Sequence, residues 1–229
     1  MIASRWAVER VAKAIDHTIL YPYATEDDVR KLCNEAIEYG FAAVCINPIY
    51  IPLAYQILRN TEVRVCTVVG FPLGSTFKEV KVEEARRAVN AGATEVDMVI
   101  NIPMLKSRKY DYVEDEIREV KKVIENGTLK VIIECCYLTD EEKIVAAKIA
   151  EKAGADYVKT STGFGPSGAK IEDVRLLRRA LSPHVKIKAA GGIRTGEQAI
   201  SFLEAGADRI GTSSGTRIIE DLRRMLSEK

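Results

Sequence analysis

Histidine and glutamine are nearly missing from this 229-residue chain, which has two of each: His17 and His184, Gln56 and Gln198. Two imidazoles leave little material for a metal-ligand cluster. The five cysteines (Cys33, Cys45, Cys66, Cys135, Cys136) are odd in number and lack C-x-x-C spacing. Adjacent Cys135 and Cys136 could not both ligate one ion easily, so the set reads as reduced thiols of a cytoplasmic protein, with no metal expected. Neither sign of charge dominates, at 34 Lys+Arg against 33 Asp+Glu, so neither nucleic acid nor a membrane surface is expected as a partner. Long apolar runs are also lacking. Arg5, Glu9, Arg10 and Lys13 interrupt any signal-peptide core, and the uncharged stretch 39–58 contains Gly40, Asn47-Pro48, Pro52 and Gln56. That stretch reads as a strand, a turn and a short helix. With no linker or low-complexity segment, a single domain over residues 1–229 is expected. Scarce glutamine beside abundant charge fits a heat-adapted protein.

What is present is a rhythm. Apolar Trp6, Val8, Val11 and Ala14 recur at helical spacing, so residues 4–14 are expected to form a helix covering one end of the core. Eight strand-then-helix units follow, with strands expected over 14–20, 42–47, 63–70, 95–101, 129–135, 157–161, 185–190 and 209–212. Tyr39-Gly40, Ala91-Gly92, Ala153-Gly154 and Ala205-Gly206 each close a helix just before a strand. The strands are rich in Val and Ile, as parallel strands buried on both faces require. Eight such units in a chain on the order of 250 residues predict a (β/α)8 TIM barrel with an additional N-terminal helix. An open doubly wound sheet would need a glycine-rich dinucleotide loop after its first strand, and none is present.

Charges in three of these strands are out of place. Lys159, Lys188 and Asp97 each stand in an apolar run, where an ammonium must find a carboxylate or give up its proton. A buried ion pair with the other lysine snorkelling to water would account for them structurally. Two lysines competing for one carboxylate tilt the reading toward a nucleophilic amine of lowered pKa, without saying which lysine it is. Asp97 shares a strand face with Asn101, Lys159 with Ser161, and Lys188 with Ala190. In the last two units, Gly191-Gly192-Ile193-Arg194 lets backbone approach a ligand. Ser213-Ser214-Gly215-Thr216 opens the final helix, where the phosphate site of a barrel usually lies.

Seven segments together carry a resemblance: Asp16-His17-Thr18, Val44-Cys45-Ile46, Val69 to Gly74, Glu95 to Asn101, Val158 to Gly163, Lys188 to Arg194, and Gly211 to Ser214. In this order, spread over residues 14–216, they resemble the 2-deoxyribose-5-phosphate aldolase family. The resemblance implies a class I aldolase without cofactor or metal. Such an enzyme reversibly cleaves 2-deoxy-D-ribose 5-phosphate to acetaldehyde and glyceraldehyde 3-phosphate through a lysine Schiff base. It implies Lys159 as the Schiff-base lysine, Lys188 as the lysine that lowers its pKa, and Asp97 as the acid–base residue of the proton relay. Asp16 and Cys45 fall near the substrate hydroxyls, and Thr162, Gly163, Gly191, Gly192, Arg194, Ser213 and Ser214 on the substrate and phosphate loops. Family habit implies a homodimer or homotetramer.

Two departures bear on that expectation. Many bacterial members place a lysine after the Thr-Ser-Thr-Gly turn, where this chain has Phe164, which lowers the expected phosphate affinity. Some members end in a tyrosine that assists proton transfer, whereas this sequence ends Ser227-Glu228-Lys229, so slower turnover is expected. His17 beside Asp16 faces the other side of its strand and is expected to be structural; Glu134 is expected as a rim or helix-capping acid, and Cys45 as packed rather than reactive. The rival readings are a barrel isomerase or epimerase without a covalent amine, and a non-catalytic sugar-phosphate sensor.

Overall fold

In the computed structural model, which describes residues 8–227, the eight expected strands are all present. They are β1 (Ile15–Ile19), β2 (Ala43–Ile46), β3 (Arg64–Val69), β4 (Glu95–Val99), β5 (Thr128–Ile132), β6 (Tyr157–Lys159), β7 (Lys186–Ala190) and β8 (Arg209–Thr212). All pair in parallel with their chain neighbours, and β8 returns to β1 through Ile15 opposite Ile210 and Asp16 opposite Gly211, closing the barrel. The helices are α1 (Val8–Ala12), α2 (Glu26–Tyr39), α3 (Ile51–Leu58), α4 (Lys78–Asn90), α5 (Ile102–Lys106), α6 (Tyr110–Ile124), α7 (Asp140–Lys152), α8 (Ile171–Ala180), α9 (Gly196–Glu204) and α10 (Gly215–Ser227).

Strand alternation separates two interiors. Outward residues such as Ile15, Val44, Val65, Val96, Val131, Val158, Ile187 and Ile210 join the main core between sheet and helices. Inside the barrel, Ala43, Cys45, Cys66 and Val68 form a small apolar cluster with Leu20. Other inward positions carry charge, among them Asp16, Glu95, Asp97, Lys130, Lys159, Lys188 and Arg209, and they build the site described below. Threonine caps set the starts of α2, α7 and α9: Thr25 with Asp28, Thr139 with Glu142 and Thr195 with Gln198 each form a complete capping box. Gly40 closes α2 in the left-handed conformation at φ 67°.

Two expectations need correction. Strands β5 and β6 stop at Ile132 and Lys159, short of Cys135 and Ser161. Glu134 takes a left-handed conformation at φ 52°, and a 3-10 turn follows over Cys135–Tyr137, so the chain leaves the sheet there. Helix α5 was not foreseen; Asn101 lies beyond β4 and caps it, its Oδ1 accepting the Met104 N–H at 3.2 Å, so it does not share the Asp97 face. The N-terminal helix is described only as α1, which buries Val11 and packs against α10; the rest of the 4–14 expectation, Trp6 included, lies outside the described residues. Residues 39–58 form the end of α2, β2, a 3-10 turn and α3, and no helix among the described residues is long and apolar enough to cross a membrane.

Candidate active site

Strand register brings seven charged side chains together inside the barrel. At the end of β6, Lys159 donates from Nζ to Asp97 Oδ2 at 2.7 Å. Lys188 on β7 reaches the same oxygen at 2.7 Å and Asp16 Oδ2 at 2.5 Å. From β5, Lys130 approaches Asp97 Oδ1 at 2.9 Å, Glu95 Oε2 at 2.6 Å and Asp16 Oδ2 at 3.5 Å, and donates to the Cys66 sulfur at 3.2 Å. Arg209 on β8 holds Asp16 Oδ1 at 2.6 Å and stands 3.6 Å from Glu95. Asp16, Asp97, Lys130 and Lys188 are completely buried. The path of the Lys188 stem depends on a missing methyl: a Cβ at Gly211 would lie 3.0 Å from Lys188 Cε and 2.9 Å from Ala190 Cβ.

The expected contest of two lysines for one carboxylate is therefore too simple. Four cations (Lys130, Lys159, Lys188, Arg209) meet three carboxylates (Asp16, Glu95, Asp97), and the cluster becomes neutral when one amine releases its proton. Burial opposes charge on Lys188, but Asp16 and Asp97 outweigh it and hold its ammonium well above the ordinary lysine range. Lys130 is held above that range too, burial being overcome by Asp97, Cys66, Asp16 and Glu95. On the acid side, burial would raise the Asp97 carboxyl, yet Lys130, Lys159 and Lys188 hold it well below the usual carboxylate range. Asp16 is depressed as well, by Lys188, Lys130 and Arg209 against its burial. The sequence reading missed Lys130 and Arg209, although Lys130 carries the signal that exposed Lys159: one lysine in the apolar run Leu129-Lys130-Val131-Ile132.

Above this cluster, at the carboxyl ends of the strands, opens a cavity of ≈ 160 Å³. Lys159, Thr162, Gly163 and Phe164 line one side, with Gly191, Gly192, Arg194 and Ser213 opposite. Gly191 and Gly192 adopt φ of 93° and 82°, conformations that side chains resist, and present bare backbone to the cavity. Thr212 ties the two last loops together, donating to Ile193 O at 2.6 Å and accepting the Ser214 N–H at 2.9 Å. Ser214 is not on the cavity wall; its carbonyl takes the Ile218 N–H in the first turn of α10. Asp16 and Cys45, which the resemblance puts near the substrate hydroxyls, are also off the wall and fully buried. Asp16 is held by Lys188 and Arg209, and Cys45 by the small apolar cluster, because both point into the barrel below its mouth.

Glu134 is neither a rim acid nor a cap. It is 1% exposed, accepts the Thr162 N–H at 3.2 Å on each oxygen and binds the Thr162 hydroxyl through Oε2. That hydroxyl in turn accepts the Phe164 N–H at 3.0 Å, so Glu134 fixes the turn beside Lys159. Nothing in its local sequence marked this, because the partner is 28 residues away. His17 points outward to Glu35 at 2.7 Å, as a structural residue should, and burial pushes its imidazole down in pKa. Buried donors that could surround one metal ion, Asp16, Cys66 and Glu95, instead surround the Lys130 ammonium.

A closed parallel barrel with an amine at its mouth, set over buried carboxylates, defines a class of (β/α)8 barrels equipped for carbonyl chemistry. The comparisons with known proteins narrow this. Residues 10–220 match the model of the DeoC/LacD family aldolases, and the chain belongs to that family. It is similar to the deoxyribose-phosphate aldolase of Caldanaerobacter subterraneus subsp. tengcongensis, 54% identical over 98% of each chain. To the enzyme of that name from Thermococcus gammatolerans it is 60% identical, over 93% of this chain and 96% of the relative. Among solved structures, the aldolase QR15 superposes with a TM-score of 0.91 at 46% identity, covering 96% of this chain and 99% of that one. A tetrameric deoxyribose phosphate aldolase from Aeropyrum pernix gives 0.91 at 36% identity, covering 98% and 96%.

Proposed function

We propose that this protein is a class I deoxyribose-phosphate aldolase that reversibly cleaves 2-deoxy-D-ribose 5-phosphate to acetaldehyde and glyceraldehyde 3-phosphate. The observation that carries the reading is the placement of Lys159. It alone of the four clustered cations lines the cavity, while its ammonium rests on Asp97 at 2.7 Å.

In the synthetic direction, the free amine of Lys159 adds to the acetaldehyde carbonyl, forming an Nζ–C bond. The carbonyl oxygen takes up two protons and leaves as water, giving an iminium. That iminium is an electron sink, so a base can remove a methyl proton to leave an enamine. Asp97, ionised and shared between Lys159 and Lys188, is the carboxylate beneath that atom and carries the proton, directly or through a water. The enamine carbon attacks the aldehyde of glyceraldehyde 3-phosphate, and hydrolysis of the new iminium frees the product and the lysine. Lys188, held charged by two carboxylates, puts a fixed positive charge beside the amine. The backbone of Gly191 and Gly192, Arg194 and the start of α10 near Ser213 offer donors for the phosphate, whose binding orients the acceptor.

The reading is tested by incubating the protein with acetaldehyde, reducing with borohydride and locating the added mass. An ethyl group on Lys159, lost in Lys159→Arg, is the expected result. No adduct on any lysine of folded protein would favour the isomerase or sensor reading, and an adduct on Lys188 alone would exchange the two lysine roles. We also infer a cytoplasmic, single-domain protein working as a homodimer or homotetramer, in line with the tetramer of the Aeropyrum pernix relative. Sedimentation equilibrium checks the assembly.

A further inference from the structure

The opposite end of the barrel has its own cavity, ≈ 620 Å³ in volume, where the strands begin. Four cations line it, Lys13, Arg59, Arg64 and Arg209, against one acid, Glu62. Glu62 is already used: Lys13 holds it at 2.7 Å. Arg64 has only a loose approach to Glu95 at 3.6 Å, and the Arg59 guanidinium has no partner among the described residues. One wall is apolar, formed by Phe41, Tyr55 and Val63. Surplus positive charge in a concave, partly apolar setting concentrates anions, and guanidinium groups pair bidentately with carboxylate or phosphate oxygens.

The floor of this cavity is connected to the chemistry. Arg209 lines the cavity and also holds Asp16 Oδ1 at 2.6 Å; the other Asp16 oxygen holds Lys188 at 2.5 Å, and Lys188 shares Asp97 with Lys159. An anion on the floor would compete with Asp16 for Arg209 and change the balance of every pair above it.

We propose that the N-terminal end of the barrel binds a small polyvalent oxyanion between Arg59 and Arg64, above Arg209, and that its occupancy is transmitted through Asp16 and Lys188 to Lys159. The binding half stands apart from the assigned activity; the transmission half rests on it.

The test is isothermal titration calorimetry of the full chain with citrate, and separately with pyrophosphate, repeated in Arg59→Ala/Arg64→Ala so that any heat from the upper cavity is common to both. Heat with citrate alone identifies a carboxylate ligand, heat with pyrophosphate alone a phosphate one. One site is expected, weakened about tenfold or more in Arg59→Ala/Arg64→Ala, the loss of a charge-assisted bond. Both side chains are exposed, so the variant should fold, which circular dichroism verifies. Absence of heat with both anions, or equal binding by the variant, overturns the site. For transmission, the rate of acetaldehyde trapping at Lys159 is measured with and without the anion. A saturable change that disappears in the variant is expected, and an unchanged rate at full occupancy overturns the coupling. If trapping never occurs, the aldolase reading fails, while the calorimetry still judges the site.

Discussion

Lys188 joins two buried carboxylates, Asp16 and Asp97, through a single ammonium. Replacing it with Met removes both of these buried ion pairs, and breaking such a pair costs about 3–5 kcal/mol. The same change removes the largest positive influence on Asp16, so its carboxyl rises and acid unfolding of Lys188→Met begins at a higher pH than in the parent. A pH series of melting curves reads both effects. Glu134 calls for a different kind of measurement, because it acts through Thr162. In Glu134→Gln one acceptor oxygen becomes a donor facing two donors, so the turn loosens and KM for the phosphorylated substrate is expected to rise about tenfold. Thr162→Ser, which keeps the hydroxyl, should lose much less than Thr162→Val.

Helix starts and strand ends show where the sequence was readable. Thr139 and Glu142 sit at the spacing of a capping box, and Thr139→Ala is expected to cost about 1 kcal/mol in chemical denaturation. Local signals of this kind, with the glycine stops and the Val/Ile runs, made the eight units and the closed barrel legible before any coordinates. Lys159 and Asp97 were legible for the same reason, since a charge in an apolar strand stands out against its neighbours. Asn101 misled because alternation was carried past Val99, where its amide instead turns the chain into α5. Ion pairing is not local: Arg209 meets Asp16 across 193 residues of chain, and Glu134 meets Thr162 across 28, so neither partnership was visible along the sequence.

Across the molecule, the buried cluster dictates how stability depends on pH. Asp16 and Asp97 are depressed below the ordinary carboxyl value of about 3.9, so their contribution is complete above it and is lost only as pH falls through their lower folded values. Lys130 and Lys188 are raised above about 10.4, so theirs is complete below that value and lost as pH rises through the folded ones. A melting temperature nearly flat from about pH 7 to pH 8, declining below about pH 6.5 where the unfolded chain protonates the imidazole that burial depresses at His17, and above about 65 °C if the scarce glutamine and abundant charge reflect heat adaptation, is the expected outcome of a scanning-calorimetry series. Gly211 gives the arrangement one more consequence, for protein engineering. The end of the Lys188 stem, at Cε, passes so close to Gly211 on β8 that one methyl group there would press on it. Copying the lysines and aspartates onto another barrel would therefore crowd the Lys188 stem wherever the neighbouring strand carries a side chain at that level, and a designer does best to transplant the emptiness together with the charges.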